Sequence, residues 1–221
     1  MAIPKELLGD MLCFDTETAL LGDRVCEIGM SLFRNGELVN EWGMYLNPTV
    51  DIDPEASKVH NIYNRDVESA PKFADVAYVI YNYLRASDVV VAYNYEYDRD
   101  VLGKEFDRVG IKWPIRPAID PFILFKQYNK FNKGKKLINA AEKYGIPYVG
   151  AHKAVNDATV TGRLLLKMAA VKVDFPKTVY ELLKKQRQWV EYQYLDFSKY
   201  RASKGMGPID MPTYRYFEEI L

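Results

Sequence analysis

The stretch Met11-Leu12-Cys13-Phe14-Asp15-Thr16-Glu17-Thr18 decides the fold. Its apolar run reads as a buried strand that delivers two carboxylates, Asp15 and Glu17, one residue apart. Side chains two apart on a strand project to the same side, where like charges raise each other's pKa unless a cation lies between them. Hard oxygen donors of this kind suit Mg²⁺ or Mn²⁺, which share their shells with water and phosphate. Taken alone, Asp-x-Glu in a chain with 30 acidic residues reads as a solvated strand end.

Two further acidic elements change that reading. Asp88-Val89-Val90-Val91-Ala92 is a short β-branched run typical of a buried strand, and Asn94-Tyr95-Glu96-Tyr97-Asp98 follows it. From Asp98 on, Val101, Leu102, Glu105 and Phe106 recur at helical spacing until Gly110, which places Asp98 near a helix amino terminus. The third element, His152-Lys153-Ala154-Val155-Asn156-Asp157, leads into the apolar helix face of residues 158–166. His152 and Asp157 lie more than one helical turn apart, so they share a surface only if the histidine sits in the loop entering the helix. Gly150 makes such an entry feasible.

The order of these elements, acid-x-acid on the first strand, acid between a strand and a helix, then His-x4-Asp entering a late helix, resembles that of the DEDDh (DnaQ-like) exonucleases. These include the proofreading subunits of bacterial replicative polymerases, exonuclease X, ribonuclease T and oligoribonuclease. The resemblance covers roughly residues 11–170. Cys26-Glu27-Ile28-Gly29, Val59-His60-Asn61-Ile62, Ile119-Asp120 and Lys136-Leu137 are secondary landmarks that agree with it. It implies hydrolysis of the last phosphodiester at a 3′ end, releasing a nucleoside 5′-monophosphate.

The chemistry follows from the residues. Phosphodiester hydrolysis needs a nucleophile made from water, neutralisation of the phosphoryl charge and stabilisation of the leaving oxygen, and two cations about 3.5 to 4 Å apart serve these needs. Asp15, Glu17, Asp98 and Asp157 are the candidate ligands for two Mg²⁺ or Mn²⁺ ions. His152 is the candidate general base, since an imidazole titrates close to neutral pH.

Other residues carry competing readings. Asp98 at a helix start is also a favourable charge on the helix dipole. Asp120, before Pro121, reads as a cap or turn residue and not a ligand. Glu27 alternates with apolar neighbours and reads as a buried structural acid. Thr16, Thr18 and Leu20 are candidates to offer backbone amides and an apolar wedge to the terminal nucleotide; otherwise they form the turn between strands. His60 and Asn94 are candidate substrate contacts. Two departures from the family pattern stand out. The usual His-Asn-x-x-Phe-Asp is here Tyr93-Asn94-Tyr95-Glu96-Tyr97-Asp98, and where many relatives carry Thr-Gly after Asp-x-Glu-Thr this chain has Ala19-Leu20-Leu21-Gly22.

Periodicity predicts strands over 11–15, 25–33 and 38–46, the last two joined at Asn35-Gly36, a strong hairpin signal. A helix over 73–85, a strand at 89, a short strand near 118 and helices after 98, near 122 and 137 and after 153 complete the pattern. The expected fold is α/β, a ribonuclease H-like mixed five-stranded sheet flanked by helices. Residues 1–170 form the expected exonuclease domain. Residues 171–221 form an extension, with a helix from Phe175-Pro176 to Val190 and then Tyr192, Tyr194, Phe197, Tyr200, Tyr214, Tyr216 and Phe217 among Lys199, Arg201, Lys204 and Arg215. The extension reads as packed on the domain, as a dock for a DNA polymerase, or as a nucleic-acid contact.

At 221 residues and 48% hydrophobic, the chain is long enough for a substantial core. Cys13 and Cys26 fall in strands without Cys-x-x-Cys spacing, so buried thiols are expected and not a disulfide framework. No leader or membrane span is visible, and a cytoplasmic enzyme with no membrane partner is expected. A net charge of zero argues for local recognition of a nucleic-acid end. Single-stranded or frayed DNA ends are the favoured substrate, with RNA the nearer alternative, since nothing in the acid motifs separates the two. A catalytically idle binding module on the same fold is the contrasting reading, and five intact chemical groups argue against it.

Overall fold

The computed structural model describes residues 3–208. After a short helix α1 (Lys5–Leu8), strands β1 (Met11–Leu20), β2 (Asp23–Arg34) and β3 (Glu37–Tyr45) form an antiparallel meander. Asn35 and Gly36, both with positive φ (54° and 80°), make the β2–β3 turn. That left-handed pair matches the right-handed twist of the flanking strands. Helices α2 (Pro54–His60), α3 (Asn64–Val67) and α4 (Phe73–Ala86) lead to β4 (Val89–Val91), and α5 (Tyr95–Arg108) leads to β5 (Ala118–Ile119). Helices α6 (Pro121–Tyr128), α7 (Leu137–Tyr144), α8 (Ala154–Val171) and α9 (Val179–Ser203) complete the described chain.

The sheet order is β3-β2-β1-β4-β5, with β4 and β5 parallel to β1. This is the mixed, helix-flanked, ribonuclease H-like sheet expected. Residues Met11–Phe14 are buried on both faces, which explains why they read as a continuous apolar run. Helix α8 crosses β1 and β2, and it can approach closely because of Gly29: a Cβ there would collide with the backbone of Ala154 and Val155. On the other face Phe14 packs edge-on against Tyr95 of α5, with ring centroids 5.7 Å apart.

Three expectations need correction. Strand β1 does not stop at Asp15 but runs to Leu20, with a bulge between Glu17 and Thr18, so Thr16, Thr18 and Leu20 are strand residues. The reason is that β2 continues to pair with it on one side after β4 has ended on the other. The last helix starts at Val179, not Phe175, because the Thr178 hydroxyl caps it by accepting the Glu181 amide at 3.1 Å. It also continues past Val190 to Ser203, taking in Tyr192, Tyr194, Phe197 and Tyr200. Its first half packs into the main core through Leu182, Leu183, Trp189 and Val190. Tyr214, Arg215, Tyr216 and Phe217 lie outside the described residues. Both cysteines are free and buried. Among the described residues no helix is long and apolar enough to cross a membrane.

Candidate active site

The site forms where parallel pairing ends. Strand β4 pairs with β1 only through Cys13, leaving the next edge of β1 without a neighbouring strand. Asp98, in the first turn of α5, fills that gap: its Oδ1 accepts the Thr16 amide at 2.9 Å and the Thr16 hydroxyl at 2.7 Å. A side chain thus satisfies a backbone group that a strand would otherwise pair. Such crevices at the carboxyl ends of parallel strands are the usual ligand sites of open α/β sheets.

Asp15 pairs with Gly29, and Glu17 with Glu27, across the β1–β2 ladder. Directly opposed residues share a face, so both candidate acids look toward α8, at the place where Gly29 lets that helix in. Asp157 comes from the first turn of α8, and His152 from the loop before it, with φ at 64°. A non-glycine residue in this region is uncommon, and histidine is among the types that tolerate it. Carboxylate oxygens of Glu17 and Asp157 and a ring nitrogen of His152 lie within 4.8 Å of one another. The loop also contributes Tyr148, whose hydroxyl donates to Asp157 Oδ1 at 2.7 Å.

Crowding shows in the electrostatics. Burial, then the charges of Asp98, Asp157, Glu17 and Glu27, push Asp15 well above the usual carboxylate range. Burial and the same kind of repulsion raise Glu17 to about 8. Asp98 rises to about 7, mainly by burial, against the opposing pull of the Thr16 hydrogen bonds. Asp157 is raised by burial while Tyr148 and His152 oppose the rise. Acids that repel one another beside a histidine are a donor set fitted to hard divalent cations, and Asp15, Glu17, Asp98 and Asp157 would hold them.

The remaining expected residues divide. Asp120 is a cap, as read from sequence, and more: it accepts the amides of Phe122 (2.8 Å), Asn94 (3.0 Å) and Tyr95 (3.2 Å), tying α6 to the turn that starts α5. Glu27 is buried and its Oε2 lies 3.4 Å from the Ala154 amide at the head of α8. His60 does not face open space. It is 3% exposed, its Nε2 meets the Thr18 carbonyl at 3.3 Å and its Nδ1 accepts the Ile62 amide at 3.1 Å, which ties the loop after α2 to β1. The Thr16 amide and hydroxyl are committed to Asp98, and the Thr18 hydroxyl lies 3.0 Å from that of Tyr97. Leu20 and Asn94 are exposed beside the site.

Both departures at Tyr93 and Tyr97 use hydroxyls that the usual His and Phe lack. Tyr97 Oη also accepts the Gly22 amide at 3.1 Å, stitching α5 to the β1–β2 turn, and Tyr93 Oη donates to the Lys135 carbonyl at 2.5 Å. Tyr148 escaped the sequence reading because no pattern marks a tyrosine in the loop between Pro147 and Gly150.

Fold and site together set clustered carboxylates and a histidine at the open edge of a mixed α/β sheet. The profile of the RNase T family, described as Exonuclease, matches residues 12–165, and the chain belongs to that family. It is 26% identical over 204 residues to the 3′-5′ exonuclease DinG of Staphylococcus aureus (strain USA300), covering 90% of this chain but 22% of that protein, so it spans about a fifth of the length of these relatives. Among solved structures it is similar to exonuclease X in complex with 5′-overhanging duplex DNA, with TM-score 0.60 and 23% identity, covering 73% of this chain and 92% of that one. The zinc-bound complex of Escherichia coli exonuclease I with single-stranded DNA gives TM-score 0.69 and 16% identity, over 80% of this chain and 43% of that one. A 3′-exonuclease that recognises a histone mRNA stem-loop gives TM-score 0.62 and 16% identity, over 73% and 64%. At these identities the structural likenesses speak for the fold.

Proposed function

We propose that the protein is a metal-dependent 3′-5′ exonuclease that removes nucleoside 5′-monophosphates from single-stranded or frayed DNA ends, in proofreading or repair. The observation that carries the reading is the cluster of Glu17, Asp157 and His152, within 4.8 Å of one another, with Asp15 and Asp98 close enough for their charges to act on one another, at the open edge of β1. The family, and the relatives named as 3′-5′ exonucleases, support the same reading.

Asp15, Glu17, Asp98 and Asp157 would hold two Mg²⁺ or Mn²⁺ ions. When bound, such a pair supplies charge neutralisation at the scissile phosphate and makes water acidic enough to attack at neutral pH. His152, exposed in its loop, takes the proton from the attacking water on a ring nitrogen. Tyr148 fixes the rotamer of Asp157 through Oδ1. Thr16 does the same for Asp98. Leu20, 37% exposed at the end of β1, offers an apolar contact for the terminal nucleotide.

The test is cleavage of matched 5′-labelled single-stranded DNA and RNA with Mg²⁺ or Mn²⁺, with chelator and Asp157→Ala controls. Shortening from the 3′ end that both controls abolish, faster on DNA, is the expected result. Faster shortening of RNA would make the protein an exoribonuclease. No shortening of either would favour a binding module.

A further inference from the structure

One feature outside the acid cluster is the loop Asn129-Lys130-Phe131-Asn132-Lys133-Gly134-Lys135-Lys136, between α6 and α7, which carries four lysines and no acid. It has internal order: Lys135 Nζ donates to the Asn129 carbonyl at 2.5 Å and the Lys130 carbonyl at 3.2 Å, and Asn132 Nδ2 donates to the Gly134 carbonyl at 2.8 Å. Lys135 thereby closes the loop, while Lys130, Lys133 and Lys136 are exposed. Phe131 at its tip is 99% exposed, with open hollows on both sides, each lined by Phe131, Asn132 and Lys143. A wholly exposed ring among cations forgoes the burial that phenylalanine normally gains on folding.

The loop is anchored to the active-site end of the sheet. Tyr93 Oη donates to the Lys135 carbonyl, and the next residue, Asn94, heads the helix that presents Asp98 about one turn later. Loop and Asp98 therefore hang from the same turn after β4. A strand whose 3′ end enters the acids carries phosphates that those acids repel, and a chain of zero net charge must meet those phosphates with a local cluster of cations.

We propose that the 129–136 loop is a strand-binding element for single-stranded nucleic acid, in which Lys130, Lys133 and Lys136 take backbone phosphates and Phe131 stacks on a base upstream of the 3′ end. Cations beside an exposed aromatic ring are the combination that tracks a phosphate backbone and holds unpaired bases. The inference rests on the exonuclease reading for the direction of the strand, but binding is measured without turnover.

The experiment is fluorescence anisotropy of a labelled 12-nucleotide single strand against the full chain in chelator, across a salt series. Phe131→Ala is expected to weaken binding by about 10-fold, and Phe131→Tyr, which keeps the ring, to restore it to within about 2-fold. Replacing Lys130 and Lys133 together by Gln is expected to lower the slope of log affinity against log salt by about 1.4, at about 0.7 per lost phosphate contact. Wild-type affinity in Phe131→Ala together with an unchanged slope in the double variant would overturn the proposal, and would leave the loop free for an acidic protein partner. Absence of cleavage with loop-dependent binding intact would instead count against the exonuclease reading alone.

Discussion

The hydroxyl of Tyr148 donates to Asp157 Oδ1 at 2.7 Å, joining the loop after α7 to the first turn of α8. It favours the charged form of Asp157, against burial, which pushes the pKa up. Hydrogen-bond partners of metal-binding side chains typically matter by 10- to 100-fold in affinity or activity. Tyr148→Phe is therefore expected to weaken Mn²⁺ binding, read by electron paramagnetic resonance, by about 10-fold while the melting temperature moves little. Unchanged Mn²⁺ binding would reduce Tyr148 to a packing residue.

The acids also set how stability depends on pH. Glu17 is raised from 4.5 to about 8 and Asp98 from 3.8 to about 7, so the folded chain binds these protons more tightly than the unfolded one. Their contribution is complete below the ordinary carboxylate range and is lost as pH rises through about 7 to 8. In chelator, the melting temperature should fall between pH 5 and 8.5, and Glu17→Gln should flatten the fall. A melting temperature that rises over this interval would contradict the crowded-acid account.

Gly29 is the contact that seats α8. Its place opposite Asp15 in the β1–β2 register means that any side chain there pushes the head of α8, with Asp157 and His152, away from β1. Gly29→Ala is expected to cost about 1 to 3 kcal/mol in chemical denaturation. It should also lower cleavage by more than the folded fraction accounts for. Wild-type values in both measurements would mean that α8 is seated elsewhere.

Asp120 is 1% exposed and is the shared acceptor for three amides. Asp120→Ala leaves these amides without that acceptor and should destabilise the fold by about 3 kcal/mol, without altering the number of Mn²⁺ ions bound by the folded fraction. Loss of an Mn²⁺ ion would move Asp120 from cap to ligand.

The sheet and the acids were legible because they rest on local patterns: a β-branched run, an Asn-Gly turn, and acids at the ends of apolar segments. The end of β1 was not, since its last five residues stay in the strand largely through their pairing with β2, the β-branched Thr16 and Thr18 being set among Glu17, Ala19 and Leu20, which favour helix. The two hydrogen bonds of His60 are not legible in sequence, because a histidine in a family landmark reads the same whether it faces solvent or bonds a carbonyl. Tyr148, Tyr97 and Tyr93 were illegible as partners, because each hydroxyl meets a group 9 to 79 residues away in sequence. Asp120 shows both sides: its cap on Phe122 is local and was readable, while its hold on Asn94 and Tyr95 spans 26 and 25 residues.

The first product released from a single-stranded DNA oligonucleotide whose terminal nucleotides differ in base at each end reveals the polarity and chemistry of cleavage. The expected product is the nucleoside 5′-monophosphate of the 3′-terminal base, released by the wild type with Mg²⁺ or Mn²⁺ and not by Asp157→Asn. Release of the 5′-terminal base first, a product carrying a 3′-phosphate, or equal release by Asp157→Asn would contradict it.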